Sequence, residues 1–238
     1  MKSEIKRKSN RQRFVTIDIV RGLGVLLMII FHLAFDLNGF RFVTIDFLEN
    51  PFWYALPRFI VFLFLICVGM NLALVHKEGI RWHLVRKRFY KIGGWALVIT
   101  VVTYILFPGK FIFFGVLHCI AVTSVVGVLF VHRPKLSLLL CLILVISDLV
   151  FEPKLLPLSD WFGVTPMDYV RFYPWIGIVL LGIYLESVNF HKIPIKMGWF
   201  GRPLAAMGRH SLKIYILHRP IIFGMILFLY KMSSAGLG

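Results

Sequence analysis

Residues 21–32 read Arg-Gly-Leu-Gly-Val-Leu-Leu-Met-Ile-Ile-Phe-His. Two ionisable residues bracket an apolar run. Such groups are costly at membrane depth and mark function or specific pairing there. A separation of 11 residues on a helix is three turns plus ~20°, so Arg21 and His32 share a face, ~16.5 Å apart along the axis. Asp18 and Asp36 fall on the same stripe, within about 40° of His32. The surrounding apolar stretch, residues 14–36, therefore reads as a membrane helix with a polar seam, Asp18 and Arg21 at its start and His32 and Asp36 at its end.

The chain of 238 residues is 59% apolar, with a mean hydropathy of +0.82. A water-soluble domain of this size could not cover that much apolar surface, so lipid is the solvent for most of it. The formal charge is +16, from 27 basic and 11 acidic residues. The basic residues cluster between apolar spans, which fits a membrane topology signal and not a nucleic-acid partner. Cys67, Cys119 and Cys141 lie inside apolar runs without metal-ligand spacing and read as small packing residues.

Seven spans of about 17–23 residues suit one bilayer crossing each: 14–36, 53–75, 91–107, 111–131, 135–151, 169–186 and 211–230. The expected fold is an all-α polytopic helix bundle of about seven transmembrane helices, with a basic tail (1–13), one membrane domain (14–230) and a short C-terminal tail (231–238). The basic tail resembles a signal-peptide n-region, but the apolar stretch behind it is too long, carries Arg21 and lacks a small-x-small cleavage site. It reads as a retained first span. Lys and Arg crowd the tail, the second-to-third loop (Lys77, Arg81, Arg86, Lys87, Arg88, Lys91), the fourth-to-fifth loop (Arg133, Lys135) and the sixth-to-seventh (Lys192, Lys196, Arg202, Arg209). The opposite side holds Arg41, Lys110, Lys154 and Lys231. This asymmetry puts the N-terminus in the cytoplasm.

Two longer outer segments, Asn38–Pro51 and Glu152–Asp168, are edged by aromatics such as Phe40, Phe42, Trp53, Tyr54 and Trp161. These form either an interfacial belt or a platform for a sugar. The segment Trp199–His210 is expected along the interface. Inside the membrane, Ser211, Tyr215 and His218 follow i, i+4, i+7 on one face, trailed by Arg219 and a kinking Pro220. His118 stands alone in the fourth span. A single membrane histidine can serve only to bond a neighbouring helix, and His118 and His218 carry that alternative. His32 differs, because Asp36 one turn away can orient its ring. There is no phosphate-binding loop, no metal-ligand spacing and no Gly-x-Ser-x-Gly elbow.

Arg21-x10-His32, preceded by Thr-Ile-Asp18, resembles the first-helix signature of membrane acyltransferases, among them the bacterial type-3 acyltransferases and the heparan-α-glucosaminide N-acetyltransferase family. Three further stretches resemble the latter: Phe-Phe-Gly-Val-Leu-His-Cys-Ile (113–120), Tyr-Pro-Trp-Ile-Gly-Ile-Val-Leu-Leu-Gly (173–182) and Gly-Arg-His-Ser-Leu-Lys-Ile-Tyr-Ile-Leu-His-Arg-Pro (208–220). Their order along most of the chain gives the likeness its weight. The resemblance implies a small prokaryotic plasma-membrane enzyme, essentially a catalytic domain, that uses acetyl-CoA as co-substrate and a glycan or amino-sugar acceptor on the far side.

Chemistry of that kind suits the seam. A basic inner surface (Arg86, Arg88 and Arg209, with Asp18, Arg21 and Ser211) would hold the donor's phosphates. The pantetheine arm would thread along the first span. His32 would act as general base with Asp36 holding its tautomer, and His118, His218 or Tyr215 would stabilise the oxyanion. An acyl-histidine intermediate is the alternative within this class. A transporter or flippase of a polar metabolite is the alternative class, though no inverted repeat is seen. Exposed glycine and aromatic faces permit a homodimer.

Overall fold

The apolar runs form helices, and among the described residues no β-sheet is present. The computed structural model describes residues 15–151, 168–193 and 198–235. The basic tail and most of the segment 152–168, expected on the outer side, lie outside them. Eight α-helices are described: α1 (Val15–Gly39), α2 (Pro51–Val75), α3 (Trp82–Leu106), α4 (Val116–Val128), α5 (Pro134–Phe151), α6 (Phe172–Ser187), α7 (Gly201–Arg209) and α8 (Ser211–Ala235). Of these, α1, α2, α3, α5 and α8 are long and apolar enough to cross a membrane, while α4 and α6 are apolar but shorter. This is an all-α membrane helix bundle.

Several boundaries differ from the sequence reading, each for a physical reason. The third span was expected from 91, but α3 starts at Trp82. Hydropathy hides its first turns, yet Arg and Lys are good helix formers. The fourth span was expected over 111–131, but α4 covers only Val116–Val128. Residues 111–115 ahead of it are not helical, with Phe114 bridged to Tyr169. The last helix continues through Lys231 to Ala235, into the expected C-terminal tail. The segment Trp199–His210 holds a helix, α7, and that helix is packed on α1.

The chain divides into two compact units, one of residues 1–64 with 192–238, the other of residues 65–191. In the first unit, α1 meets α7 and α8. Ile19, Leu204 and Ala205 form its buried α1–α7 contact, with Met207 against them. The approach is so close that a Cβ on Gly22 would run into the Leu204 carbonyl oxygen, and one on Gly208 into that of Asp18. Small residues at such crossings let backbones touch, the usual source of helix association in lipid. Gly22→Leu is expected to force the helices apart and cost about 1–3 kcal/mol, read as a lowered Tm in detergent. An unchanged Tm would mean the crossing relaxes freely.

In the second unit, α5 packs on α6, and α4 on both α3 and α6. Cys141, Leu180 and Ile183 centre one cluster. All three cysteines are buried and stand outside any disulfide, as small packing residues do. A buried contact brings His191 Nδ1 to 2.6 Å from the Glu186 carboxylate. His76, just past α2, is 2% exposed and accepts the Arg81 backbone N–H on Nδ1 at 3.0 Å. Burial, then the fields of Arg81, Arg88, His132 and His83, hold its pKa below the usual 6.5. The unfolded chain therefore binds a proton at His76 before the folded one does, so this contribution to stability is complete above pH 6.5 and is lost as pH falls below it. Melting curves between pH 8 and 5 should show that decline, and His76→Gln should flatten it. Parallel curves for the two proteins would remove His76 as its source.

Candidate active site

Along α1 the polar seam faces protein at both ends. At its start, the Arg21 guanidinium lies 3.5 Å from the Asp18 carboxylate and donates to the Gly208 carbonyl at 3.4 Å. That carbonyl belongs to the last turn of α7, where helix carbonyls favour a cation. Arg209 adds a second positive field at Asp18. Asp18, Arg21 and Arg209 are thus brought together at the α1–α7 crossing, where Arg21 already has two partners in the chain itself.

At the far end, the His32 ring on α1 and the His218 ring on α8 lie with centroids 4.9 Å apart. The two residues are 186 positions apart in sequence, and the α1–α8 packing alone unites them. His218 is buried. Its Nδ1 donates to the Tyr215 carbonyl at 2.7 Å and to that of Ile214 at 3.2 Å. A carbonyl can only accept, so the proton of the neutral ring sits on Nδ1 and Nε2 carries the lone pair. That Nε2 is buried without a hydrogen-bond partner among the described residues, as is Nδ1 of His32. Buried polar atoms are rarely left unsatisfied, and an exception calls for an explanation, of which a catalytic role is one. Tyr215 stands beside this pair, its ring 5.7 Å from that of His218. Ser211 opens the same helix two turns earlier. Phe31 meets His32 edge-on at 5.5 Å and also packs near Trp53 of α2, so aromatics wall this end of α1.

Asp36 does not orient His32 as the sequence reading expected. Its Oδ1 instead accepts from Arg219 at 2.5 Å, leaving Oδ2 buried and unpartnered among the described residues. A guanidinium outcompetes a neutral imidazole for a buried carboxylate because the pair neutralises both charges. Arg219 is the residue the sequence reading passed over. It was visible only as the neighbour of His218, since no local pattern tells which helix faces α1.

His118 lies in the second unit, and both its nitrogens are engaged. Nδ1 accepts the Gly115 N–H at 3.3 Å, capping α4 from its N3 position. The Thr100 hydroxyl donates to the Ile112 carbonyl at 2.8 Å, so its oxygen accepts from His118 Nε2 at 3.2 Å. A ring tied at both ends has nothing left for an oxyanion. His118→Ala is expected to cost about 0.5–2 kcal/mol through the lost cap, with kcat little altered. A kcat loss beyond a hundredfold at unchanged Tm would return His118 to the chemistry. Arg86 and Arg88, two residues apart, point ~200° apart around α3. Arg86 is exposed and Arg88 half-buried, so they do not form one phosphate clamp.

Residues 13–220 match the family model described as heparan-alpha-glucosaminide N-acetyltransferase, catalytic. The chain belongs to this family. No curated protein matched it, and no solved structure did. Members of the heparan-alpha-glucosaminide N-acetyltransferase family are membrane acetyltransferases, and that assignment extends over both units, from the start of α1 to Pro220 in α8.

Proposed function

We propose that this protein moves an acetyl group from acetyl-CoA to an amine or hydroxyl of an extracytoplasmic glycan or amino sugar, with the N-terminus cytoplasmic. The orientation rests on the asymmetry of Lys and Arg between the two sides. The observation that carries the chemistry is the His32–His218 pair, two imidazoles in contact on different helices with one buried ring nitrogen on each left unpartnered.

In this reading His218 is the general base. The Tyr215 and Ile214 carbonyls hold its Nδ1 proton, fixing the tautomer that leaves Nε2 free to take the acceptor's proton. The acceptor nitrogen or oxygen bonds to the thioester carbonyl carbon, and the carbonyl electron pair moves onto oxygen. His32, with Nδ1 protonated, donates to that oxyanion. As the tetrahedral centre collapses the C–S bond breaks, and the thiolate leaves with the proton carried by His218. The roles expected for His32 and His218 are thereby exchanged, because the orienting hydrogen bonds belong to His218. The donor's anionic head is assigned to the basic end of the α1–α7 crossing, where Arg209 lies.

The test is to incubate the purified protein in lipid nanodiscs with radiolabelled acetyl-CoA and a panel of amino sugars. Labelled acetyl on the acceptor is expected. Release of free CoA with no acetylated product would reduce the activity to hydrolysis. Flux of a sugar into liposomes without any acetyl-CoA would favour a carrier instead.

A further inference from the structure

The first turns of α3 carry Arg86, Lys87, Arg88 and Lys91, and the electrostatics of that placement are unfavourable as they stand. A helix N-terminus bears partial positive charge and prefers acids, yet the first turn of α3 holds none. Arg86, Lys87 and Lys91 are exposed and form no ion pair among the described residues. The acid nearest in sequence is Glu78, in the preceding turn. Trp82 and Tyr90, 51% and 72% exposed, lie on the rows of Arg86, and Lys87 and Lys91 fill the adjacent row at i, i+4. Together they make one continuous cationic and aromatic face.

The same face turns apolar further along. Leu97 and Ile105 are 62% and 71% exposed, and only 6% of the most apolar window of α3 is buried within the protein. Apart from the side that packs on α4, this helix is therefore open to lipid. Its apolar part, Ile92 to Leu106, rises only ~22 Å, against a hydrocarbon core of about 30 Å. A short span draws its polar flank down to the headgroups, which brings the collar to phosphate level.

We propose that this face binds the phosphates of anionic phospholipids, with Arg86, Lys87 and Lys91 as pairing groups and Trp82 and Tyr90 as interfacial anchors. The bound lipid supplies the negative charge that the N-terminal end of α3 lacks. Arg86 then serves lipid and not the donor's phosphates.

The test uses the full chain in nanodiscs of equal phosphatidylglycerol and phosphatidylcholine, followed by extraction and counting of co-purifying lipid. The wild type is expected to retain phosphatidylglycerol selectively. Each cation near a charged membrane surface is worth about fivefold in affinity, so the triple variant Arg86→Gln, Lys87→Gln, Lys91→Gln should lose roughly a hundredfold. The single variant Lys91→Gln, at an exposed site that folding tolerates, should lose about fivefold, and Lys91→Arg should keep wild-type retention. Excess acetyl-CoA should not displace the lipid. Equal retention of both lipids by the wild type, wild-type retention by Lys91→Gln, or displacement of the lipid by acetyl-CoA would each overturn the proposal. The first two outcomes leave the acetyltransferase reading untouched, while displacement by acetyl-CoA would move the donor's phosphates to this face and support that reading.

Discussion

Replacing His218 with alanine should lower acetyl transfer by about 10²–10⁴-fold, the range a positioned general base supplies. The loss should fall on kcat, with acetyl-CoA binding by equilibrium dialysis little changed, because the ring acts on the acceptor's proton. His32→Ala should cost about 10²–10³-fold, the usual worth of one oxyanion donor. The two rings act on one tetrahedral centre, so the double variant should lose little more than the worse single one. Losses that instead multiply would mean the rings serve separate steps. A His218→Ala protein with wild-type turnover would remove the base from this mechanism, whatever became of His32.

The polar seam was legible in the sequence because helical periodicity is local. Asp18, Arg21, His32 and Asp36 share a face of α1 by arithmetic alone, and the structure turns that face to α7 and α8. The helix class was equally plain, since apolar runs of bilayer length have one solution in lipid. Pairings between distant residues were not legible. His32 meets His218, and Asp36 meets Arg219, through α1–α8 packing that no sequence spacing encodes. A neighbour at i+4 was the natural partner to assign to His32, and a guanidinium on another helix took the carboxylate. Between the two roles open to His118 the sequence could not choose, for a related reason. Its partners are a backbone N–H at Gly115 and a hydroxyl on α3, and neither leaves a mark in composition. Helix ends were misplaced wherever charge and helicity part company, as at Trp82, or where a cap shortens an apolar run, as at Gly115.

Arg219→Ala should produce the largest stability loss of any single substitution at this end of α1. The Asp36 side chain is 5% exposed, and Arg219 supplies the contact to its Oδ1. Removing one partner of a buried pair leaves a charge without compensation, which typically costs 3–5 kcal/mol. Arg219 itself is 34% exposed, which places the expected value near the lower limit, about 3 kcal/mol. Removing both partners strands nothing, so Asp36→Leu with Arg219→Met should regain most of the lost Tm. Activity should not follow. Arg219 adjoins His218, and Asp36 sits one turn beyond His32, so the ion pair braces α8 against α1 at the level where the imidazoles meet. An apolar substitute can restore packing without restoring that register, and a displacement of about 1 Å is enough to cost a hundredfold in rate. The double variant should thus melt near the wild type yet transfer acetyl about a hundredfold more slowly. Recovery of both stability and rate would show that the pair only holds the helices together, and that the imidazoles find their places without it.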